Sequence, residues 1–300
     1  MSDPRAQRIA EFIEPLRVPP DTPVTLATDY DPGYTGDFMA EEDGRELLRQ
    51  GVELLSEYQE RLAAQDTYGV LVVLQALDAA GKDSTIRHVM SGVNPQGVVV
   101  HSFKQPSAEE LDHDYLWRYT TRLPGRGQIG IFNRSHYEEV LVVQVHPERL
   151  DRQRLPAAAK GRDIWTRRYR EINDWERRLA DNGFKIVKLF LNLSKEEQRA
   201  RFLARIDKPH KNWKFSPGDV REREHWIAYQ QAFSKMLSST STSHAPWYVL
   251  PADHKWFAQL AAAAIIADTL IGIDPQFPTV SADEREAMQE ERAKLVANHS

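Results

Sequence analysis

Gly69-Val-Leu-Val-Val-Leu-Gln-Ala-Leu-Asp-Ala-Ala-Gly-Lys-Asp-Ser-Thr-Ile-Arg87 is the stretch from which the rest of the chain can be read. Val70–Leu74 is an unbroken run of β-branched residues and leucine, the pattern of a strand buried on both faces, and the residues after Thr85 turn helical in character. Between them lies a loop of small residues ending in Gly81-Lys82. Strand, small-residue loop, lysine and helix together suit a phosphate cradle: backbone N–H groups and the helix N-terminus face the anion, and the lysine adds a full charge. The match to the generic phosphate-loop pattern is imperfect, with Ala76 where the first glycine belongs and Asp83 where Ser or Thr follows the lysine. The blander alternative is a tight strand-to-helix turn in which Gly81 supplies an unusual φ and Lys82 is solvated. Asp78 weighs against it, because a carboxylate inside the loop would repel phosphate unless a divalent cation came between them.

Composition sets the outer limits. With 300 residues and 41% hydrophobic content, the chain can bury a full core as one large α/β domain with appendages. The absence of cysteine excludes disulfides and thiolate–metal chemistry. The longest apolar candidate for a membrane span, Leu260–Ile266, is short and alanine-rich, and Met1-Ser-Asp-Pro-Arg5 lacks a signal peptide's apolar region, so a soluble cytoplasmic protein without membrane contact is expected. A net charge of −5 argues against a general polyanion surface, nucleic acid included, and leaves any anion site to a local concentration of Lys and Arg.

In chain order, Met1–Asp43 carries Pro and Asp punctuation and reads as an irregular surface arm. Arg45–Ala64 is an amphipathic helix with Leu47, Leu48, Val52, Leu55, Tyr58 and Leu62 at helical spacing, its leucines in the core. Helix Thr85–Met90 follows the loop, and Asn94-Pro-Gln-Gly97 closes it. Val98–Ser102 is a second strand, and Ser107-Ala-Glu-Glu110 a capping box opening a helix through Tyr119. Ile129–Phe132 is a third strand, with Asn133, Arg134, Ser135, His136, Tyr137 and Glu138 at its carboxyl end, where ligands gather in open α/β sheets and where the Asp78 loop should lie. Arg152–Asp181 reads as a basic helix with Ile164, Trp165, Ile172, Trp175 and Leu179 buried. Ile186–Leu191 and Trp247–Leu250 are strands four and five, giving a parallel sheet covered on both faces. Trp256–Ile271 is a late packing helix and Asp283–Ala297 an exposed or partner-binding one.

Between the last two strands, Ser194-Lys-Glu-Glu197 is another capping box, and from Arg199 to Lys214 six Lys or Arg residues meet one acid, Asp207. A solvated basic helix face is the ordinary explanation of such a run. Here the run follows a strand end, Lys208-Pro-His-Lys-Asn-Trp-Lys214 breaks helical periodicity, and Ser216-Pro217 restarts a helix, so a basic flap closing over polyphosphorylated ligands is the preferred one.

Several motifs in order, Asp78-Ala-Ala-Gly-Lys82, Asn94-Pro95, Phe103-Lys-Gln-Pro-Ser107, Tyr115-Leu-Trp-Arg118, Phe132-Asn-Arg-Ser-His-Tyr-Glu138, Trp213-Lys-Phe215 and Ala245-Pro-Trp-Tyr-Val249, make residues 45–278 resemble the polyphosphate kinase 2 family. The resemblance implies a three-layer, phosphate-loop (Walker A) kinase-like α/β fold with a central parallel five-stranded sheet and a helical lid at about residues 195–225, between an arm (1–44) and a helical tail (279–300). It implies phosphoryl transfer between inorganic polyphosphate and AMP, ADP and ATP, with magnesium, or manganese in its place, and a homo-oligomer, dimer or tetramer. Asp78, Lys82 and Arg134 match the catalytic positions. Ala79, Ala80, Gly81, Lys82, Asp83 and Ser84 with Arg201, Arg205, Lys208, Lys211 and Lys214 are the expected phosphate and polyphosphate contacts. Lys104, Arg118, Asn133, Arg134, Tyr137 and Glu138 are the expected nucleotide contacts, and Asp78 and Glu138 the metal ligands. Many members that act on ADP carry Asp where this chain has Asn133 and Gly where it has Asp83; Asn133 with Glu138 is more similar to the branch accepting both AMP and ADP. A neutral amide is a weaker magnesium ligand than a carboxylate, which leaves Glu138 or Asp83 to compensate.

The remaining residues leave alternatives open. His136 reads as an ordinary hydrogen-bonding residue rather than a phosphoryl acceptor. Trp165 and Trp175 fit a helix stripe, while Trp117 and Trp213, beside basic residues, are the better ligand candidates. An ATP-dependent nucleoside monophosphate kinase on the same fold and a non-catalytic polyphosphate-binding protein are the other two functional readings.

Overall fold

The structure, a computed structural model, describes residues 4–36 and 41–297. Five strands, β1 (Gly69–Ala76), β2 (Val98–Ser102), β3 (Ile129–Asn133), β4 (Phe184–Asn192) and β5 (Trp247–Pro251), form one parallel sheet in the order β2-β3-β1-β4-β5. β1 is central, buried along its whole length, and its side chains divide by the two-residue period of a strand. Val70, Val72 and Leu74 join the core under helices Glu41–Gln65 and Lys255–Ile273, while Leu71 and Val73 join the core under Ile164–Asp181 and Trp226–Thr240. Apolar residues on both faces are what a parallel sheet needs, because each crossover helix covers one face. The chain crosses to β2 on one side, returns to β3, and passes to β4 on the other side of β1. The carboxyl end of β1 is therefore the switch point of the sheet, where an open α/β fold leaves a crevice.

Several expectations need correction. Of the expected arm, residues 1–3 and 37–40 lie outside the described residues, and the rest is not a surface arm. Pro4–Ile13 is a helix, and Ile13, Leu16, Val18, Val24 and Leu26 are buried in the two cores. Arg17 pairs antiparallel with Tyr248 and the Val18 amide donates to the Trp247 carbonyl at 2.9 Å, so this segment covers the β5 edge. Leu47 is exposed although Leu54, Leu55 and Leu62 are core. The Ser107 capping box is present, yet its helix stops at Asp112 and a separate turn, Trp117–Thr120, carries Arg118 and Tyr119 inward. The basic helix begins at Ile164, not Arg152. Lys255–Ile273 is longer than the apolar run suggested: by length and composition it could cross a membrane, but 67% of its apolar window is buried inside the protein. Ala282–Ala297 is a helix exposed throughout, as expected.

Candidate active site

The loop after β1 folds tightly because Ala79 (φ 67°) and Gly81 (φ 109°) take left-handed backbone, which glycine adopts without steric cost. The helix Lys82–Val89 starts at once, three residues earlier than expected, so Lys82 occupies its first turn. The Lys82 ammonium curls back to donate to the carbonyls of Ala76 (3.0 Å) and Leu77 (3.3 Å). Burial, and then the neighbouring Arg134 guanidinium, pushes its pKa down to about 8. Ser84 Oγ donates to the Gly81 carbonyl at 2.8 Å, bracing the loop from the helix side.

β3 delivers the second half of the site. Arg134 stands just past its end in left-handed conformation (φ 64°), its amide bonded to the Leu74 carbonyl. Nη2 donates to Asp78 Oδ1 at 2.7 Å and Nη1 to Glu138 Oε2 at 3.2 Å, so one guanidinium bridges two carboxylates. Asn133 Nδ2 donates to Asp83 Oδ1 at 2.8 Å, tying β3 to the helix after the loop. Gln198 donates to the Asp78 carbonyl at 3.0 Å from the helix Lys195–Asp207. The expected proximity of the Asp78 loop and the cluster after β3 is thus observed.

Two clefts open from this point. One, about 750 Å³, is walled by Gly81, Lys82, Asp83, Ser84, Arg87, Lys104, Arg205, Lys211, Lys214 and Lys255 among others. The other, about 400 Å³, has Leu111, Tyr119, Val142, Val143 and Tyr229 on its walls with Arg118, Arg149 and Arg152. Asp78, Phe103, Lys104 and Arg134 line both. The larger cleft is cationic enough that burial, with Arg201, Lys211 and Arg205 nearby, lowers the pKa of Lys255. Arg87, Arg149, Arg152 and Lys255 were not among the expected contacts, since they come from three separate stretches of chain and only the fold brings them to the walls of the two clefts.

Five expected contacts are placed otherwise. Arg201 is buried with all five N–H groups engaged: Nε to Glu197 (2.7 Å), Nη1 to the carbonyls of Ala79 (3.0 Å) and Ala80 (2.9 Å), and Nη2 to those of Ala252 (2.6 Å) and Asp253 (3.1 Å). It fastens the phosphate loop to the end of β5 and has no donor left for polyphosphate. The Ser194 capping box is half formed for the same reason, as Ser194 Oγ accepts from the Glu197 amide while the Glu197 carboxylate turns to Arg201. Tyr137 is fully buried, its hydroxyl donating to Glu176 Oε1 at 2.8 Å, and cannot touch a nucleotide in the cleft. Lys208 is exposed and outside the cleft walls that carry Lys211 and Lys214. Of the tryptophans, Trp117 stacks on His113 (4.0 Å) and Trp213 is 78% exposed, so neither lines a cleft. His136 is fully buried against Glu176, which excludes it as a phosphoryl acceptor. Arg205 pairs with Asp219 at 3.0 Å, joining the helices Lys195–Asp207 and Pro217–Glu222.

The donor set can be tested for a divalent cation. Among the described residues no group of three or more His, Cys, Asp or Glu is gathered as a cation cage. Magnesium needs only one or two carboxylates when substrate phosphates and water complete its shell. Asp78 and Asp83, both on the wall of the larger cleft, fit that demand. Glu138 fits it less well than expected: Oε2 accepts from Arg134, and Oε1 accepts from Gln75 at 3.0 Å when that amide is oriented to suit its neighbours.

With this geometry in hand, comparison with known proteins is informative. A family model described as polyphosphate kinase 2 matches residues 38–278. The chain is 50% identical over 270 residues to the ADP-polyphosphate phosphotransferase of Rhodopseudomonas palustris, covering 90% of this chain and 92% of that one. It is 44% identical over 266 residues to the AMP/ADP-polyphosphate phosphotransferase of Meiothermus ruber, covering 87% and 94%. The crystal structure of polyphosphate kinase 2 from Arthrobacter aurescens superposes with a TM-score of 0.83 at 40% identity, covering 92% of this chain and 96% of that one.

Proposed function

The chain belongs to the polyphosphate kinase 2 family, and from that premise we propose how its two clefts divide the work of moving a phosphoryl group between polyphosphate and AMP or ADP. The larger cleft, walled by cations and flanked by the flap, takes the polymer. The smaller one, with aromatic and aliphatic walls beside Arg118, Arg149 and Arg152, takes the acceptor nucleotide. The observation that carries this division is the Asp78–Arg134 ion pair standing on the boundary of both clefts. An ATP-dependent monophosphate kinase would need two nucleoside compartments, whereas the larger cleft carries Lys82, Arg87, Lys104, Arg205, Lys211, Lys214 and Lys255 on its wall, a density of cations suited to a polyanion.

In the transfer, an acceptor phosphate oxygen attacks the terminal phosphorus of the polymer. The bond from that phosphorus to the bridging oxygen breaks, and the shortened polymer leaves with the electron pair as an oxyanion. The acceptor's second pKa is about 6, so it is already ionised near neutral pH and needs no strong general base. Charge spread over the equatorial oxygens is what the protein must neutralise and hold in line. Lys82 exchanges its two carbonyl partners for the transferring group, and Arg134, with its planar fork, grips phosphate oxygens across the boundary. Asp78 and Asp83 would hold magnesium, which neutralises and orients phosphate oxygens of the two substrates. Asn133, bonded to Asp83, orients that carboxylate rather than binding the metal itself.

We take both AMP and ADP as acceptors. Incubating the purified protein with magnesium, polyphosphate and AMP alone, then separating nucleotides over time, should give ADP followed by ATP. AMP left untouched while ADP is converted to ATP would restrict the acceptor to the diphosphate.

A further inference from the structure

Beneath the loop that carries Arg134 lies a set of charged groups with no part in the transfer just described. Lys188 on β4 and Glu176 on the helix Ile164–Asp181 are both fully buried, Nζ to Oε2 at 2.7 Å. The other oxygen of Glu176 accepts from the Tyr137 hydroxyl (2.8 Å) and meets His136 Nε2 (3.2 Å). Lys188 also donates to the Tyr137 hydroxyl (2.9 Å) and to the Thr240 carbonyl (2.5 Å). The pair therefore grips two consecutive residues that begin two positions after Arg134.

Burying both ions of such a pair carries a large desolvation cost, and well-packed apolar residues often give equal or greater stability. A stabilising role alone is thus a weak account of it. The loop above, in contrast, needs constraint. Arg134 has a left-handed backbone, which is strained for a non-glycine residue and persists only where the surroundings over-determine it. Its amide is held by Leu74 and the Ser135 hydroxyl contacts the Gln75 side chain at 3.0 Å, but both anchors lie on the β1 side. On the far side the next two side chains end on Glu176 and Lys188.

We propose that Glu176 and Lys188 are positioning residues that clamp His136 and Tyr137 and thereby hold the Arg134 guanidinium against Asp78 on the boundary of the clefts. The inference rests on the assignment of Arg134 to phosphoryl transfer. Tyr137→Phe removes the hydroxyl that both charged groups hold and keeps the ring. In the full-length protein it should lower kcat about tenfold with KM for polyphosphate and nucleotide within about twofold, because binding groups stay in place while alignment is lost. Ile172→Val, a core change on the same helix as Glu176, should lower Tm without lowering kcat.

The deciding measurement is a double-mutant cycle. In an Arg134→Lys background, Tyr137→Phe should change kcat by less than about twofold while its effect on Tm remains, as expected when one group acts through the other. If Tyr137→Phe lowers kcat by the same factor in both backgrounds, or lowers Tm alone, the clamp is structural only and the inference fails while the role of Arg134 stands. If Arg134→Lys itself leaves kcat unchanged, the reading of Arg134 fails and takes the clamp with it. Should Tyr137→Phe not fold, Glu176→Leu together with Lys188→Met, which removes both holding groups and strands no charge, carries the same cycle.

Discussion

Residues 133–138 hang between two ion clusters of opposite character. On one side Arg134 bridges Asp78 and Glu138 with side chains 34%, 31% and 20% exposed, and on the other Lys188 and Glu176 are sealed at 0%. Water screens the first set, so its ion pairs add little to stability and their partners can be exchanged for phosphate oxygens. The second set is out of reach of solvent, so no exchange is open to it, and removing one partner strands the other. Exposure, more than the identity of the charged residues, separates groups fit for chemistry from groups fit for support.

That contrast is strongest in Arg134→Ala. Turnover should fall about 10⁴-fold, as for other arginines that stabilise phosphoryl transfer, equivalent to ~5 kcal/mol. Tm should move by no more than about 2 °C, given that a solvent-screened pair of this kind contributes less than about 1 kcal/mol. A large Tm loss accompanying that substitution would erase the distinction between the clusters. Glu176→Ala should show the reverse balance in urea unfolding, losing about 4 kcal/mol because Lys188 is left buried and unpaired. Replacing both ions, with Glu176→Leu and Lys188→Met together, should recover most of that loss in stability. Failure to recover it would mean that the pair's hydrogen bonds, not its stranded charge, carry the energy.

A smaller effect comes from pH, through Lys82 beside the first cluster. Lys82 loses its proton as pH rises through about 8, so kcat/KM, which reports the free enzyme, should decline above that point. The sign for stability is opposite. Because the folded pKa lies below the unfolded value of 10.5, the cost of burying the ammonium is fully present below about 8 and is relieved as pH rises from there toward 10.5. Lys82→Met should abolish that rise in stability, and its persistence in the variant would assign the titration to another group.

How much of this was legible in the chain depends on how local each signal was. The β1 loop with Asp78, Lys82 and the cluster after β3 could be read because strand, loop and first helical turn are contiguous, and parallel strands put their carboxyl ends together. Arg201 and Arg205 looked equivalent in sequence, four residues apart on one basic helix. The fold turns the first into a brace for five groups and leaves the second on the wall of the larger cleft, paired with Asp219. Tyr137, beside Arg134 and Glu138, read as a nucleotide contact and is core. Lys188 offered a signal that went unused: a lysine inside the apolar run Ile186–Leu191 must find a partner if the strand is buried on both faces. The apolar residues of the first 26 positions were hidden in the same way, by Pro and Asp punctuation that suggested an arm where the chain instead covers the β5 edge.

The linear order of residues was enough for the phosphate loop and the parallel α/β architecture, because each follows from periodicity and turn chemistry over a dozen neighbours. Which cations line the larger cleft, which are consumed in holding the loop, and which charge lies sealed under Arg134 were settled only by three-dimensional packing. The reason is that a charged side chain's role depends on its distance from water and from partners far along the chain, and neither quantity is a property of its neighbours in sequence.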